Sequence, residues 1–575
     1  MNTRPWRNSP ATWPMAAADP ATLVELLRRR AREQGHDRAY VALADRGGEE
    51  AAITFAELGS RACALAGRLS QAATPGDRAL LLFPSGVEFV VALFACFAAG
   101  VIAVPLMPPR RNAARDASAS ILADCTPRLA LSAAGLIPGL KERFAGGPTW
   151  MASDEGADAA LPEVAAEDIA LLQYTSGSTS APKGVVVTHA NLLANSAMIR
   201  AGFGNTARST YVSWLPHYHD MGLIIHLLQS LYLGSLGVLM SPVAFLQRPL
   251  NWLRAISDYR AEVSGGPNFG YELCVSRYRP EATAGIDLSS WRVAVNGAEP
   301  VRDGTMRRFA ETFASHGFAA GTMHPAYGMA EATVLIAAGK RDAPPVTRRL
   351  SRAALQESRV AAPASDEDAQ IGVGCGNALV DERIAIVDPD GHRRLGADEI
   401  GEIWVAGPNV AEGYWANEMA TREAFGAAIA GEDGAIWLRT GDLGFLDAGG
   451  ELFVTGRIKD IIIIRGANHY PQDIEHTVET AHPALAAHGG AAFAVTDEHG
   501  EERLVVVQEV ERSQRHHADP TQLQVRIREA VVSEHDIVPF AVILLRPGTL
   551  PKTTSGKIQR AQSRRLWLEG GLDIL

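Results

Sequence analysis

Tyr174-Thr175-Ser176-Gly177-Ser178-Thr179-Ser180-Ala181-Pro182-Lys183-Gly184 separates two apolar runs, Ile169–Tyr174 and Val185–Val187. Both runs are short, aliphatic and bounded by turn residues, which reads as strand, loop, strand. The loop is built from small residues, so its backbone N–H groups can close around an anion. Hydroxyls at Thr175, Ser176, Ser178 and Thr179 add donors, and Lys183 supplies a cation to offset phosphate charge. The common phosphate-loop signature GxxxxGK[ST] is absent. A Ser/Gly loop by itself is more often a plain turn. The ordered TSGSTxxPKG string between two strands favours a phosphate grip.

Outward from this loop, apolar runs alternate with helical patterns. Residues 79–83 read as a strand, 86–99 as a helix and 101–105 as a strand of a doubly wound sheet. The uncharged stretch Phe89–Met107 invites a membrane reading. A spanning helix needs about 20 unbroken apolar residues, and Gly100 interrupts this one as a helix stop before a buried strand. Leu236–Met240, Trp291–Val295 and Arg383–Val387 read as further strands, and Asn191–Gly202 and Pro249–Tyr259 as amphipathic helices. No internal repeat is visible. Arg341–Gln370 and Arg512–Pro520 are polar and irregular, the first as an inserted loop or small module, the second as an exposed connection. A boundary falls near Gly456–Asp460, leaving a tail long enough for a small domain of its own.

The 575 residues suggest three or four structural units. The chain is 47% hydrophobic and 21% charged, which places it among globular proteins, and its net charge of −11 carries no footprint for nucleic acid or anionic lipid. The five cysteines are scattered and form no CxxC pair, which argues against structural zinc and a disulfide framework. The N-terminus lacks the apolar core of a secretory signal, so a cytoplasmic location is expected.

Five more motifs follow in order: Trp214-Leu-Pro-His217-Tyr-His219-Asp220-Met-Gly-Leu223, Asn296-Gly297-Ala298-Glu299-Pro300, Tyr327-Gly328-Met329-Ala330-Glu331-Ala-Thr333, Arg439-Thr-Gly-Asp442-Leu-Gly444 and Gly456-Arg457-Ile-Lys459-Asp460. A sixth, Pro551-Lys-Thr-Thr-Ser-Gly-Lys557-Ile558, closes the set. Each has a bland alternative when taken alone: a structural histidine, a tight turn, a solvated helix-start acid, a β-turn aspartate, a surface lysine. Their order along the chain, after the Ser/Gly loop, resembles the adenylate-forming superfamily from about residue 20 to 567.

That resemblance implies an α/β fold: a large N-terminal domain of doubly wound sheets with a β-barrel-like subdomain, and a small mobile α+β C-terminal domain. The expected division is 1–456, a hinge at 457–460 centred on Lys459, and 461–575, with an insertion at about 341–370. It implies ATP and Mg²⁺ as cofactors, with Glu331 holding the metal. Catalytic roles fall to Lys557, His219 and Lys183. Nucleotide contacts fall to Thr175, Ser176, Gly177, Ser178 and Thr179, to the turn Gly297, Ala298 and Glu299, to Tyr327, Gly328, Met329 and Ala330, and to Asp442 and Arg457. Many relatives carry Thr where this chain has Ala330, which removes one hydroxyl contact to phosphate.

Three features resemble the long-chain fatty acyl-AMP ligases that accompany polyketide and lipopeptide synthases: the LPHYHDMGL wording, the segment Ile461–Glu475, and the extra stretch between Thr333 and Gly376. The resemblance implies an insertion packed on the large domain that hinders the CoA-type rearrangement. It also implies transfer of the acyl group to the phosphopantetheine thiol of an acyl carrier protein or synthase carrier domain. Acyl-CoA synthetases tend to have RGxR where this chain has Arg465-Gly466-Ala467-Asn468. A long-chain acyl-CoA synthetase is the alternative, and a non-catalytic nucleotide-binding scaffold a further one. The acyl tunnel is expected beside Pro267, Gly270, Tyr271 and Gly297.

Overall fold

Helix Val87–Ala98 buries every residue but Glu88, between strands Arg78–Leu81 and Ile102–Pro105. It is apolar all round because it is enclosed by protein. Among the described residues no helix is long and apolar enough to cross a membrane. Gly100 ends it at φ +64°, where a Cβ would press on Pro75 at 3.2 Å. The computed structural model describes residues 20–108, 118–142, 144, 147–175, 182–432, 434–497, 501–553 and 556–575.

These strands belong to a six-stranded sheet ordered Thr149–Ala152, Leu129–Ser132, Arg78–Leu81, Ile102–Pro105, Ile169–Thr175, Lys183–Thr188. Neighbours are parallel except the last pair, the hairpin that flanks the Ser/Gly loop. A nine-stranded sheet is parallel through its centre, where Tyr211–Ser213, Val263–Gly266, Val293–Asn296 and Met323–Gly328 lie side by side. One hydrophobic core runs through both sheets. The barrel-like unit is four antiparallel strands, Arg383–Val387, Gly401–Ala406, Leu438–Leu446 and Leu452–Arg457, bent by register shifts at Glu402/Trp404 and Leu443/Gly444.

Local chemistry explains the small shifts from expectation. Helix His189–Phe203 starts two residues early because Thr188 and Asn191 form a reciprocal capping box. The strand expected from Trp291 begins at Val293 instead. Trp291 is a core plug between Tyr271 and Phe309, with its indole N–H on the Val293 carbonyl at 3.0 Å.

Of the two readings of residues 341–370, the structure has the small module rather than the irregular loop. Strands Thr347–Ser351 and Ala369–Val373 form a hairpin around the short helix Arg352–Gln356. Leu350 and Leu355 join Phe445 and Phe453 of the four-stranded sheet and Tyr470 beyond it. Arg352 pairs with Glu534 at 2.7 Å, Gln370 donates to Asp473 at 3.0 Å, and Asn468 donates to Ser358 at 3.0 Å. The insertion therefore packs on the tail as well as on the large unit.

After the turn Ile458–Asp460 the chain builds a separate core from a hairpin, helices Pro471–Thr480 and Pro520–His535, and the sheet Leu485–Thr496, Glu502–Val510, Ala541–Leu545. Arg560, on the last helix, makes two bonds of 2.7 Å to Glu475 and one of 3.0 Å to Asp460. It thus ties the last helix to the turn that enters the tail. Arg560→Ala strands two largely buried carboxylates, and breaking such a pair costs about 3 kcal/mol. Hydrogen exchange across residues 461–575 should accelerate in this variant; protection equal to that of the unmodified chain would contradict this role.

Candidate functional site

A cavity of about 2010 Å³ opens where the sheets' carboxyl edges, the four-stranded sheet and the tail meet. This is where open parallel sheets place ligands. The hairpin borders one side: Thr175 and Lys183 are register partners, so both ends of the Ser/Gly loop are held. Ser176, Gly177, Ser178 and Thr179 lie outside the described residues. Lys183 rests its ammonium 4.5 Å over the ring of Tyr414.

His219 bonds Asp220 at 2.7 Å. Burial opposes ionisation of Asp220, but His219 and the nearby Lys557 charge prevail and hold its carboxyl down at about 2. Asp220 also caps the π-helix Met221–Leu228, a widened helix of a kind frequent at functional sites. Gly297, Ala298 and Glu299 line the cavity past strand Val293–Asn296. Ala298 holds φ +68° there, and Glu299 keeps a buried carboxylate oxygen with no hydrogen-bond partner among the described residues.

Tyr327, Gly328, Met329, Ala330 and Glu331 line the cavity beside that turn, at the end of the neighbouring parallel strand Met323–Gly328. The Tyr327 hydroxyl donates to Asp442 at 2.8 Å, and Arg457 donates to the other oxygen of Asp442 at 2.7 Å. Asp442 raises the Arg457 guanidinium above its ordinary value, so the pair stays charged. Glu331 accepts from the Tyr414 hydroxyl at 2.8 Å, and burial pushes its carboxyl up. Among the described residues no group of three or more ligands gathers for a metal. The Glu331 carboxylate in this cavity fits Mg²⁺, which takes one or two carboxylates and completes its shell with phosphate oxygens and water.

Lys557 enters the same cavity from the tail. Its loop is closed by Thr553 N–H on the Lys557 carbonyl at 2.7 Å, and Gly556 sits at φ +87° against Phe269 of the large unit, where a Cβ would lie 3.1 Å away. Desolvation pulls the Lys557 ammonium below its ordinary value, and Asp220 opposes that fall. Lys459 lines the cavity from the turn Ile458–Asp460.

Every described residue expected at the site lines this cavity except the three expected at an acyl tunnel. Pro267 lines a small neighbouring cavity with His219, Glu299 and Lys557. Gly270 instead packs against the Trp214 indole, and Tyr271 is fully buried with its hydroxyl on the Val295 carbonyl at 2.8 Å. The sequence reading missed Tyr414, because a Gly-Tyr-Trp triplet carries no signature of its own.

One large cavity shared by a hairpin lysine, the Glu331 carboxylate, a Tyr–Asp–Arg cluster and a tail lysine has the parts that an acid-activating, adenylate-forming site calls for. The pattern of the AMP-binding enzyme family matches residues 27–415, more than half of the chain, so the chain belongs to that family. The tail, 459–575, matches the Disco-interacting protein 2-like AMP domain. The chain is 43% identical to the medium-chain-fatty-acid–[acyl-carrier-protein] ligase JamA of Moorena producens, over 97% of each chain. It is 36% identical to the putative fatty-acid–CoA ligase fadD25 of Mycobacterium tuberculosis, over 95% of this chain and 97% of that one. A solved fatty acyl-adenylate ligase from Legionella pneumophila, in complex with acyl adenylate and pyrophosphate, superposes with a TM-score of 0.75 at 38% identity, covering 96% and 97%.

Proposed function

We propose that this enzyme activates a fatty acid with ATP, forming an acyl-adenylate and pyrophosphate, and then passes the acyl group to the phosphopantetheine thiol of a carrier protein. The observation that carries the reading is the joint presence of Lys183 and Lys557 in one cavity with Glu331 and Asp442. A carboxylate oxygen of the fatty acid attacks the α-phosphorus, and the bond to pyrophosphate breaks. This step asks the protein for position and charge stabilisation rather than covalent chemistry.

Lys557 and His219 border the small cavity beside Pro267 and are suited to hold the reacting carboxylate against the α-phosphate. Lys183 answers the charge on the leaving phosphates. Glu331 would hold Mg²⁺, which supplies charge neutralisation at the phosphates when bound. Asp442 has the geometry to accept ribose hydroxyls, its orientation already set by Tyr327 and Arg457. Lys459 is the proposed pivot about which the tail, 461–575, leaves the first-step arrangement.

Carrier protein is favoured over CoA by the insertion, which ties the large unit to the tail through Arg352, Gln370 and Tyr470, and by the carrier-protein ligase among its relatives. Incubation with ATP, Mg²⁺, fatty acid and CoA should accumulate acyl-AMP with little acyl-CoA, and adding a holo carrier protein should drain it. Rapid acyl-CoA formation would reverse the choice of acceptor and align the chain with the CoA ligase reading.

A further inference from the structure

Tyr414 stands between the two charges that the phosphate end of the site depends on. Its ring carries the Lys183 ammonium at 4.5 Å, and its hydroxyl donates to Glu331 Oε1 at 2.8 Å. No ion pair joins Lys183 to Glu331 among the described residues. Opposite charges lining one cavity attract, and a direct pair would occupy both groups before any ligand arrived. We propose that Tyr414 is a positioning residue: a spacer that keeps Lys183 free for phosphate and holds Glu331 in orientation for the divalent cation. The proposal rests on the nucleotide reading given above.

The backbone around Tyr414 supports this division of labour. On one side Val186 N–H bonds the Gly413 carbonyl at 2.9 Å, and Trp415 N–H bonds the Gly184 carbonyl at 2.7 Å. Both bonds lie on the strand that begins with Lys183. On the other side Ala411 N–H bonds the Glu331 carbonyl at 2.9 Å, and Thr333 Oγ1 donates to the Asn409 carbonyl at 2.6 Å. Residues 409–415 therefore clamp the lysine strand and the glutamate turn at a fixed separation, with the tyrosine ring in the gap. The approach is close: Gly413 has φ +130°, and a Cβ there would sit 2.4 Å from Thr421. Thr421 in turn accepts from the Tyr414 N–H at 2.9 Å. A neutral ring with a polar tip suits this place, since it attracts a cation on its face and offers a proton at its edge.

The two contacts can be separated. Tyr414→Phe keeps the ring and loses the bond to Glu331; Tyr414→Leu loses both. ATP binding to the full-length chain is measured by calorimetry across a Mg²⁺ series. Tyr414→Phe should raise the Mg²⁺ concentration for half-maximal ATP binding about tenfold, the scale of one charge-assisted hydrogen bond, and leave affinity at saturating Mg²⁺ nearly unchanged. Tyr414→Leu should weaken ATP binding even at saturating Mg²⁺. In a Glu331→Gln background Tyr414→Phe should add no further loss, because it acts through that carboxylate. An unshifted Mg²⁺ requirement in Tyr414→Phe, or an equal loss in the Glu331→Gln background, overturns the role of Tyr414 alone. Failure of the wild-type chain to bind ATP with Mg²⁺ at all overturns the nucleotide reading together with it.

Discussion

Replacing Lys557 by alanine should cut acyl-adenylate formation by about 10²–10³-fold or more, the scale seen when one preorganised charge is removed from a reacting centre. The side chain is costly to place. Its ammonium is desolvated in the cavity and drawn below its ordinary proton affinity, and its loop is seated against Phe269 with Gly556 in a left-handed conformation. Such an arrangement is retained where the charge acts on something within the cavity. The ammonium is the active form, present below its lowered pKa and lost above it. The alkaline limb of the wild-type rate profile should therefore begin earlier than for a free lysine. Single-turnover formation of acyl-AMP, with a matching urea midpoint as the folding control, decides the matter. A variant within threefold of the wild type would remove Lys557 from the chemistry.

The second large effect concerns stability in acid. His189, His217, His226 and His324 are all buried in the large unit. Burial lowers them to about 4, 3, 4 and 4 respectively, chiefly by desolvation. The unfolded chain binds protons at these sites near pH 6.5, whereas the folded chain resists until about pH 4. Stability is therefore fully present above pH 6.5 and lost as pH falls towards 4. At pH 5 each histidine costs about 2 kcal/mol, so together they approach the whole stability of an ordinary domain. Urea unfolding at pH 7.5 and pH 5.0 should show a large drop in midpoint, with proton uptake on unfolding at the lower pH. His217→Asn should recover part of that drop if its fit is tolerated. Equal midpoints at the two pH values would show that these imidazoles are charged or solvated in the native state.

Much of the candidate site was legible through a resemblance: the motifs follow one another along the chain in the order of the adenylate-forming superfamily. The Ser/Gly hairpin, Asp442, Glu331 and Lys557 each have weak local signals, but their sequence along the chain is not accidental, and the fold brings the described members to one cavity. Other parts were hidden for physical reasons. The insertion hides a hairpin because Thr347–Ser351 reads TRRLS, where only Leu350 and Ser351 are buried and the arginines serve ion pairs such as Arg348 with Asp398. Gly270 and Tyr271 were expected at an acyl tunnel, yet a tyrosine after a strand is equally suited to a core. Here it packs on Trp252, Trp291 and Phe309. Tyr414 was invisible because its importance lies in two partners, one more than 200 residues upstream and the other 83, which only the folded chain brings to its ring and hydroxyl.

The proposed activity needs one cavity in which a fatty acid and ATP would meet between Lys183 and Lys557. Exchange of labelled pyrophosphate into ATP by the wild-type chain tests this most directly. Exchange that requires both Mg²⁺ and a fatty acid, and that fails in Lys557→Ala, is the predicted result. Exchange independent of any acid, or none with fatty acids of any length, would contradict it.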